Sequence, residues 1–216
     1  MPTSQFGAPK GPRGWAAAHL VARLTAEANR WMIDLLEVAA GDRVLDVGCG
    51  PGLAVAYGAT NASWTVGVDA SPTMVRHAGR RNRAAIRRGR VEIHRADATR
   101  LPFPDASFTK VCSLNSLQFW SDPEQGLAEL HRVLAPGGRV AVVVMARSDD
   151  PAGTPAPAWV EETLGSMQRA GFAAMQVASR SFGGVLHRAL VGHRKGIEKG
   201  APLDPTADGV RKGAGP

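Results

Sequence analysis

Val44-Leu45-Asp46-Val47-Gly48-Cys49-Gly50-Pro51-Gly52 is a short apolar run that enters a cluster of glycines. Leu53-Ala54-Val55-Ala56 follows at once and has the composition of a helix start. A buried strand that turns through glycines into a helix brings the backbone close to a ligand at the carboxyl end of the strand. Working outward, the same alternation repeats. Strands are expected at Arg43–Gly48, Trp64–Asp69, Val91–Arg95, Phe108–Leu114 and Val140–Ala146. Helices are expected between them at Leu53–Thr60, Pro72–Arg88 and Pro123–Leu134, and another at Trp159–Gly171. Phe172–Ser181 and Val185–His193 read as a closing hairpin. This order predicts an α/β fold: a Rossmann-like, seven-stranded, mostly parallel sheet with helices on both faces and an antiparallel C-terminal hairpin.

Three segments divide the chain. Residues 1–40 form an N-terminal arm and a helical cap, with Leu20, Leu24, Ala28, Trp31, Leu35 and Val38 at helical spacing from Trp15 onward. Residues 41–194 hold the α/β domain. Residues 195–216 lack apolar periodicity, and their composition predicts a disordered tail. No internal repeat is visible.

The glycine loop alone would fit a dinucleotide as well as other adenosine ligands. Position 53, where a dinucleotide fingerprint places its third glycine, is Leu53. Asp46 stands two residues before the first glycine, where a carboxylate repels a pyrophosphate but suits an ammonium and a sulfonium. S-adenosylmethionine (SAM) fits better than NAD. The second strand ends in Asp69, placed to accept from both ribose hydroxyls. Its competing role as a helix N-cap is better filled by Ser71, just before Pro72. The third strand runs into Ala96-Asp97-Ala98, with Asp97 placed to accept from an adenine amino group.

These segments resemble class I SAM-dependent methyltransferases, closest to the methyltransferase type 11 family and similar to quinone C-methyltransferases. The resemblance rests on VLDVGCGPG (44–52), VGVDASPTMV (66–75), RADATRLPFPDASF (95–108), CSLNSLQFW (112–120) and ELHRVLAPGGRV (129–140). It implies SAM as cofactor and S-adenosylhomocysteine (SAH) as product. It places Asp46 and the loop Gly48, Cys49, Gly50 and Gly52 around the methionine moiety, and Asp69 on the ribose. Ala70 and Met74 would lie beside the adenine, Asp97 and Ala98 on its edge, and Leu114 and Asn115 near the amino-acid end. Two positions depart from the family pattern. The fourth strand begins Phe108-Thr109 where relatives commonly have Phe-Asp, and the loop after it reads Gln118-Phe119 where relatives often carry a His pair.

Methyl transfer is an in-line substitution that mainly requires alignment, so no residue is singled out as catalytic. Trp15, His19, Gln118 and Trp120 are the positional candidates for the methyl acceptor, with Trp31 and Phe119 beside them. Arg147–Ala158 is rich in Pro, Ala, Asp and Gly, where small-molecule relatives often insert a helical lid. Residues 1–40 are therefore expected to cover the cofactor mouth, with Gly7, Gly11 and Gly14 as hinges. The expected acceptor is a small molecule offering O, N or C. A peptide or RNA acceptor is the first alternative and a non-catalytic SAM-binding partner the second; a homodimer is left open.

Composition narrows the partners. The net charge is +7, and eight arginines fall between Arg76 and Arg95. They carry no interleaved aromatics and no RNA-binding signature, so a solvated helix face is the expectation rather than a nucleic-acid site. No apolar run approaches the roughly 20 residues of a membrane span. MPTSQFGAPKGPRGW lacks the apolar core of a signal peptide, so the expectation is cytoplasmic. Cys49 and Cys112 have neither metal-ligand spacing nor a disulfide pattern, and no metal is expected.

Overall fold

Strand propensity and burial agree from β1 to β5. The computed structural model describes residues 25–145 and 157–196. β1 (Arg43–Val47), β2 (Trp64–Asp69), β3 (Val91–Arg95), β4 (Phe108–Leu114) and β5 (Leu134–Met145) pair in parallel. β6 (Phe172–Phe182) and β7 (Val185–Arg194) close the sheet, with β7 antiparallel to both β5 and β6. The spatial order is β3-β2-β1-β4-β5-β7-β6. The chain moves outward from β1 to β3 and then returns to place β4 on the other side of β1. That reversal opens a crevice between the carboxyl ends of β1 and β4, where open α/β sheets bind ligands.

Helices cover both faces because the central strands are apolar on both sides. α1 (Ala26–Leu35) and α2 (Leu53–Asn61) pack on one face, where Trp31, Met32 and Leu36 meet Val44, Ala141, Val143 and Ala189. α3 (Pro72–Arg81) continues that layer, with Ala78 against Cys49, Val55 and Val91. α5 (Pro123–Val133) and α6 (Pro157–Arg169) cover the other face, where Leu127, Leu130 and Met167 bury against Leu45, Val66 and Leu190.

Three boundaries differ from the sequence expectation by more than two residues. The helix expected over Pro72–Arg88 breaks at Asn82, leaving a short α4 (Arg83–Arg87). The Asn82 amide donates to the carbonyls of Gly52 and Ala78, both at 3.0 Å, and this tether holds the backbone out of helical geometry. β5 begins at Leu134 instead of Val140, because Leu134 already pairs with Phe108 before a register shift at Phe108/Lys110. The cap helix stops at Leu35 rather than Ala40, where Glu37 turns left-handed and Asp42 accepts from the Ala39 amide at 2.8 Å. Its expected first half, Trp15–Leu24, lies outside the described residues, as do the arm and all but two residues of the expected tail.

The hairpin forms as expected. Gly183 and Gly184 both have positive φ, the geometry a two-residue turn needs to match strand twist. The departure at Thr109 is local: its hydroxyl donates to Asp42 at 2.7 Å and accepts from the Arg43 amide at 2.9 Å, tying β4 to β1. No described helix is long and apolar enough to cross a membrane.

Candidate functional site

The glycine loop is shaped by what each glycine meets. A Cβ on Gly48 would lie 2.2 Å from Ser116 Oγ, and one on Gly52 would lie 2.9 Å from Ala78. Both positions have positive φ, so side chains there are excluded twice over. Gly50 differs: nothing lies within 4 Å of its Cβ position, so the middle of the loop faces open space. The amides of Gly48 and Cys49 both donate to the Val68 carbonyl at 2.9 Å, pinning the loop to β2.

Two carboxylates stand around that space. Asp69, at the end of β2, accepts from the Gly50 amide at 2.9 Å and the Ser71 amide at 2.8 Å. It thus braces the loop, and each oxygen keeps one further acceptor site. Ser71, not Asp69, caps α3, its hydroxyl accepting from Met74 N. Burial pushes the Asp69 carboxyl up, and its two backbone donors pull the other way. Asp46 is almost wholly buried near the end of β1, and among the described residues its carboxyl has one hydrogen bond, from the Cys112 thiol at 3.9 Å. Burial, and then the neighbouring Asp69 charge, push it up to about 7. The same burial raises the thiols of Cys49 and Cys112, with Asp46 adding to both shifts. An acid held this way is half-protonated near neutrality and is ready to ionise against an arriving cation.

The other expected contacts are distributed unevenly. Met74 is buried beside Ser71, while Ala70 and Asp97 are exposed at the strand ends. Asp97 turns one oxygen back to Thr99, accepting from its amide and hydroxyl at 2.9 and 2.8 Å. The methyl of Ala98 goes into the core, so only its backbone is available to a ligand. Leu114 packs on the α1 face, and Asn115 has positive φ, its amide donating to the Val143 carbonyl at 2.8 Å.

The loop after β4 holds three of the expected residues. Trp120, an acceptor candidate, donates its indole N–H to Ser116 Oγ at 3.0 Å, and its ring packs so close over α5 that a Cβ on Gly126 would strike it at 2.3 Å. Its ring is half-buried, packed against the core. Gln118 is exposed and donates to the Asn115 carbonyl at 3.0 Å; Phe119 is 48% exposed. Trp31 packs on Phe182, whose centroid is 5.7 Å away. Trp15 and His19 lie outside the described residues.

Sequence reading missed Ser113 and Ser116. Their hydroxyls are 2.8 Å apart, and Ser116 also donates to the Val47 carbonyl at 3.1 Å, joining the β4 loop to the end of β1. Small polar residues at a strand end were the signal. Among the described residues no group of His, Cys, Asp and Glu converges as for a metal ion.

Residues 45–142 match the family model described as a methyltransferase domain. Over 158 residues the chain is 27% identical to the uncharacterized methyltransferase YdaC of Bacillus subtilis strain 168, covering 72% of this chain and 85% of that protein. It is 43% identical over 103 residues to the demethylmenaquinone methyltransferase of Clavibacter sepedonicus, covering 48% of this chain and 41% of that one. The chain spans about half or less of the length of the curated relatives that exceed 35% identity. A SAM-dependent methyltransferase of Aquifex aeolicus superposes with a TM-score of 0.65 at 19% identity, covering 83% of this chain and 97% of that one. At that identity the likeness is one of fold.

Proposed function

Because residues 45–142 match the model of a methyltransferase domain, we propose that the chain binds SAM in the β1/β4 crevice and transfers its methyl group to a small molecule. One observation carries the reading: Asp46 is a buried acid with no cationic partner among the described residues, set beside a glycine loop that faces open space. A phosphate-bearing cofactor would meet two carboxylates there, whereas the ammonium and sulfonium of SAM supply the missing positive charge.

When bound, SAM supplies an activated methyl group. The chain's own residues bind and orient. Asp46 ionises to balance the cofactor's charge, Asp69 accepts from the ribose hydroxyls, and Met74 and the Ala98 backbone flank the adenine. Asn115 and Leu114 bound the amino-acid end. The acceptor enters from the β4–β5 side. Bringing the two reactants together in a water-poor crevice contributes most of the rate. A small-molecule acceptor is supported by relatives named for one, the demethylmenaquinone methyltransferase of Clavibacter sepedonicus among them.

The test uses the full chain. SAM and SAH should raise the melting temperature by several degrees at saturating concentration, and NAD and ATP should do much less. Equal stabilisation by NAD would overturn the cofactor assignment. Labelled methyl from SAM, incubated with fractionated extract, should then enter low-molecular-weight material; label entering RNA or peptide would replace the acceptor class.

A further inference from the structure

The stretch from Pro72 to Val91 holds seven arginines and no acid. The fold uses three of them. Arg76 donates to the Thr73 hydroxyl at 3.0 Å, Arg81 to the Pro51 carbonyl at 2.9 Å and Arg90 to the Ala62 carbonyl at 2.7 Å. The other four, Arg80, Arg83, Arg87 and Arg88, are exposed, and their side chains have neither a hydrogen bond nor an ion pair among the described residues. Four unpartnered guanidiniums on one short stretch repel one another, and nothing in the folded chain offsets that repulsion.

Their placement is regular. Arg76, Arg80, Arg83 and Arg87 recur at intervals of four, three and four residues, the spacing of one helix face. The break at Asn82 does not scatter them. The Asn82 amide still donates to the Ala78 carbonyl at 3.0 Å and the Ile86 amide to the Asn82 carbonyl at 2.9 Å, so helical links continue on either side of it. The opposite face of α3 is fixed: Met74 and Ala78 are buried, and Ala78 packs on Cys49, Val55 and Val91. Ile86 stands among the arginines, one turn beyond Arg83 and next to Arg87, and it is 36% exposed. An apolar side chain ringed by free cations has a use where water meets an apolar phase.

Three kinds of anion could answer such a face. A nucleic acid is disfavoured, because Arg76 to Arg95 contains no Phe, Tyr or Trp on which a base could stack. An acidic protein would need carboxylates set at the same spacing as the arginines. A lipid surface needs no such match, since its headgroups move to each guanidinium and its acyl boundary takes the isoleucine. We propose that α3, α4 and the turn after them dock the protein on an anionic lipid surface, with Arg80, Arg83, Arg87 and Arg88 on headgroup phosphates and Ile86 at the acyl boundary. The proposal goes beyond methyl transfer and does not rest on it. Attachment of this kind is peripheral and reversible: each basic residue near the surface strengthens it by about fivefold, and salt weakens it.

The experiment is sedimentation of the full-length protein at physiological salt with two kinds of vesicle, phosphatidylcholine alone and equal parts phosphatidylcholine and phosphatidylglycerol. Wild type should sediment with the second and not with the first, and molar salt should release it. Changing Arg80, Arg83, Arg87 and Arg88 together to Gln should weaken attachment at least tenfold, whereas changing the same four to Lys should keep most of it. Ile86→Asn should weaken it by about threefold. Melting curves and SAH binding show that each variant is folded. If the fourfold Gln variant is not, Arg87→Gln with Arg88→Gln replaces it, and attachment should still fall at least threefold. Attachment to neither vesicle, equal attachment to both, or attachment that the Gln variant or Ile86→Asn leaves unchanged would overturn the proposal. Tighter binding to tRNA or polyglutamate than to the anionic vesicles, lost in the Gln variant, would also overturn it and give the face to a nucleic acid or an acidic protein.

Discussion

The Glu129–Arg132 cluster on α5 and the Asp46–Asp69 crevice beyond β1 use similar side chains to opposite ends. Arg132 donates to Glu129 at 2.6 and 2.8 Å, to Asp105 at 2.9 Å, and to the carbonyls of Phe103 and Leu101 at 2.7 and 3.1 Å. Glu129 also accepts from the Leu101 amide at 2.7 Å, and this partnership holds its carboxyl below the usual range. Every group in that cluster has a partner, and it clamps the loop between β3 and β4 onto α5. In the crevice burial raises both acids, the Asp69 charge adds to the rise of Asp46, and among the described residues no cation pairs with either. A completed network serves the fold, whereas an incomplete one stores affinity for whatever completes it.

The comparison breaks if the clamp proves dispensable. Arg132→Ala should lower stability by about 2–4 kcal/mol, since it removes the cation from Glu129 and the side-chain donor from two carbonyls. Urea unfolding measures this, and a loss below about 0.5 kcal/mol would show that the network contributes little. Cofactor affinity of the folded variant should stay near wild type.

Asp46→Asn sharpens the contrast, because its two effects run in opposite directions. The variant should bind SAM at least tenfold more weakly at pH 8, by calorimetry, while its cofactor-free form is no less stable than wild type. The sign follows from the raised carboxyl. Between the ordinary value of 3.8 and about 7, the folded chain holds a proton that the unfolded chain has released. The contribution of Asp46 to stability therefore declines as pH rises through that window, and the decline is complete above it. SAM affinity should move the other way, rising on the order of tenfold from pH 6 to pH 8 as the carboxylate becomes available. An affinity that is flat over this range in wild type would remove Asp46 from the cofactor site.

Asp69→Ala should weaken SAM binding by about 1–3 kcal/mol through loss of the ribose hydrogen bonds. A small fall in melting temperature should accompany it, because Gly50 and Ser71 lose their acceptor. Unchanged SAM binding in a folded variant would leave Asp69 as a brace alone. The smallest effect belongs to the arginine face: changing Arg80, Arg83, Arg87 and Arg88 together to Gln should alter stability by only about 0.5 kcal/mol, since none of them makes an ion pair among the described residues. Filter binding to tRNA at physiological salt should be weak before and after; tight binding that the variant loses would promote the RNA-acceptor reading.

Much of this was legible in one dimension. The strand-to-glycine run at 44–52, the alternation that follows it, and Asp46 and Asp69 at strand ends could be read because their geometry depends on neighbours within a few residues. The hairpin was legible for the same reason. Trp120 marks the limit: composition does not reveal that Ser116, four residues earlier, takes its N–H and that Gly126, six residues later, makes room for its ring. The Glu129-to-Arg132 stretch looked like a motif of the family, and only the fold shows that it grips a loop some 25 to 30 residues earlier in the chain.

The sequence by itself determined the order of strands and helices, the glycine loop and the two acids at strand ends, because hydrophobic periodicity and backbone freedom are local properties of the chain. Tertiary structure alone decided how those groups behave. Asp46 is raised because the sheet buries it beside Asp69, Asn82 breaks a helix because Gly52 is within reach, and Ser116 joins the β4 loop to Val47 across 69 residues. Burial and partnership are sums over contacts distant in sequence, so an acid acquires its chemistry only when the chain has closed around it.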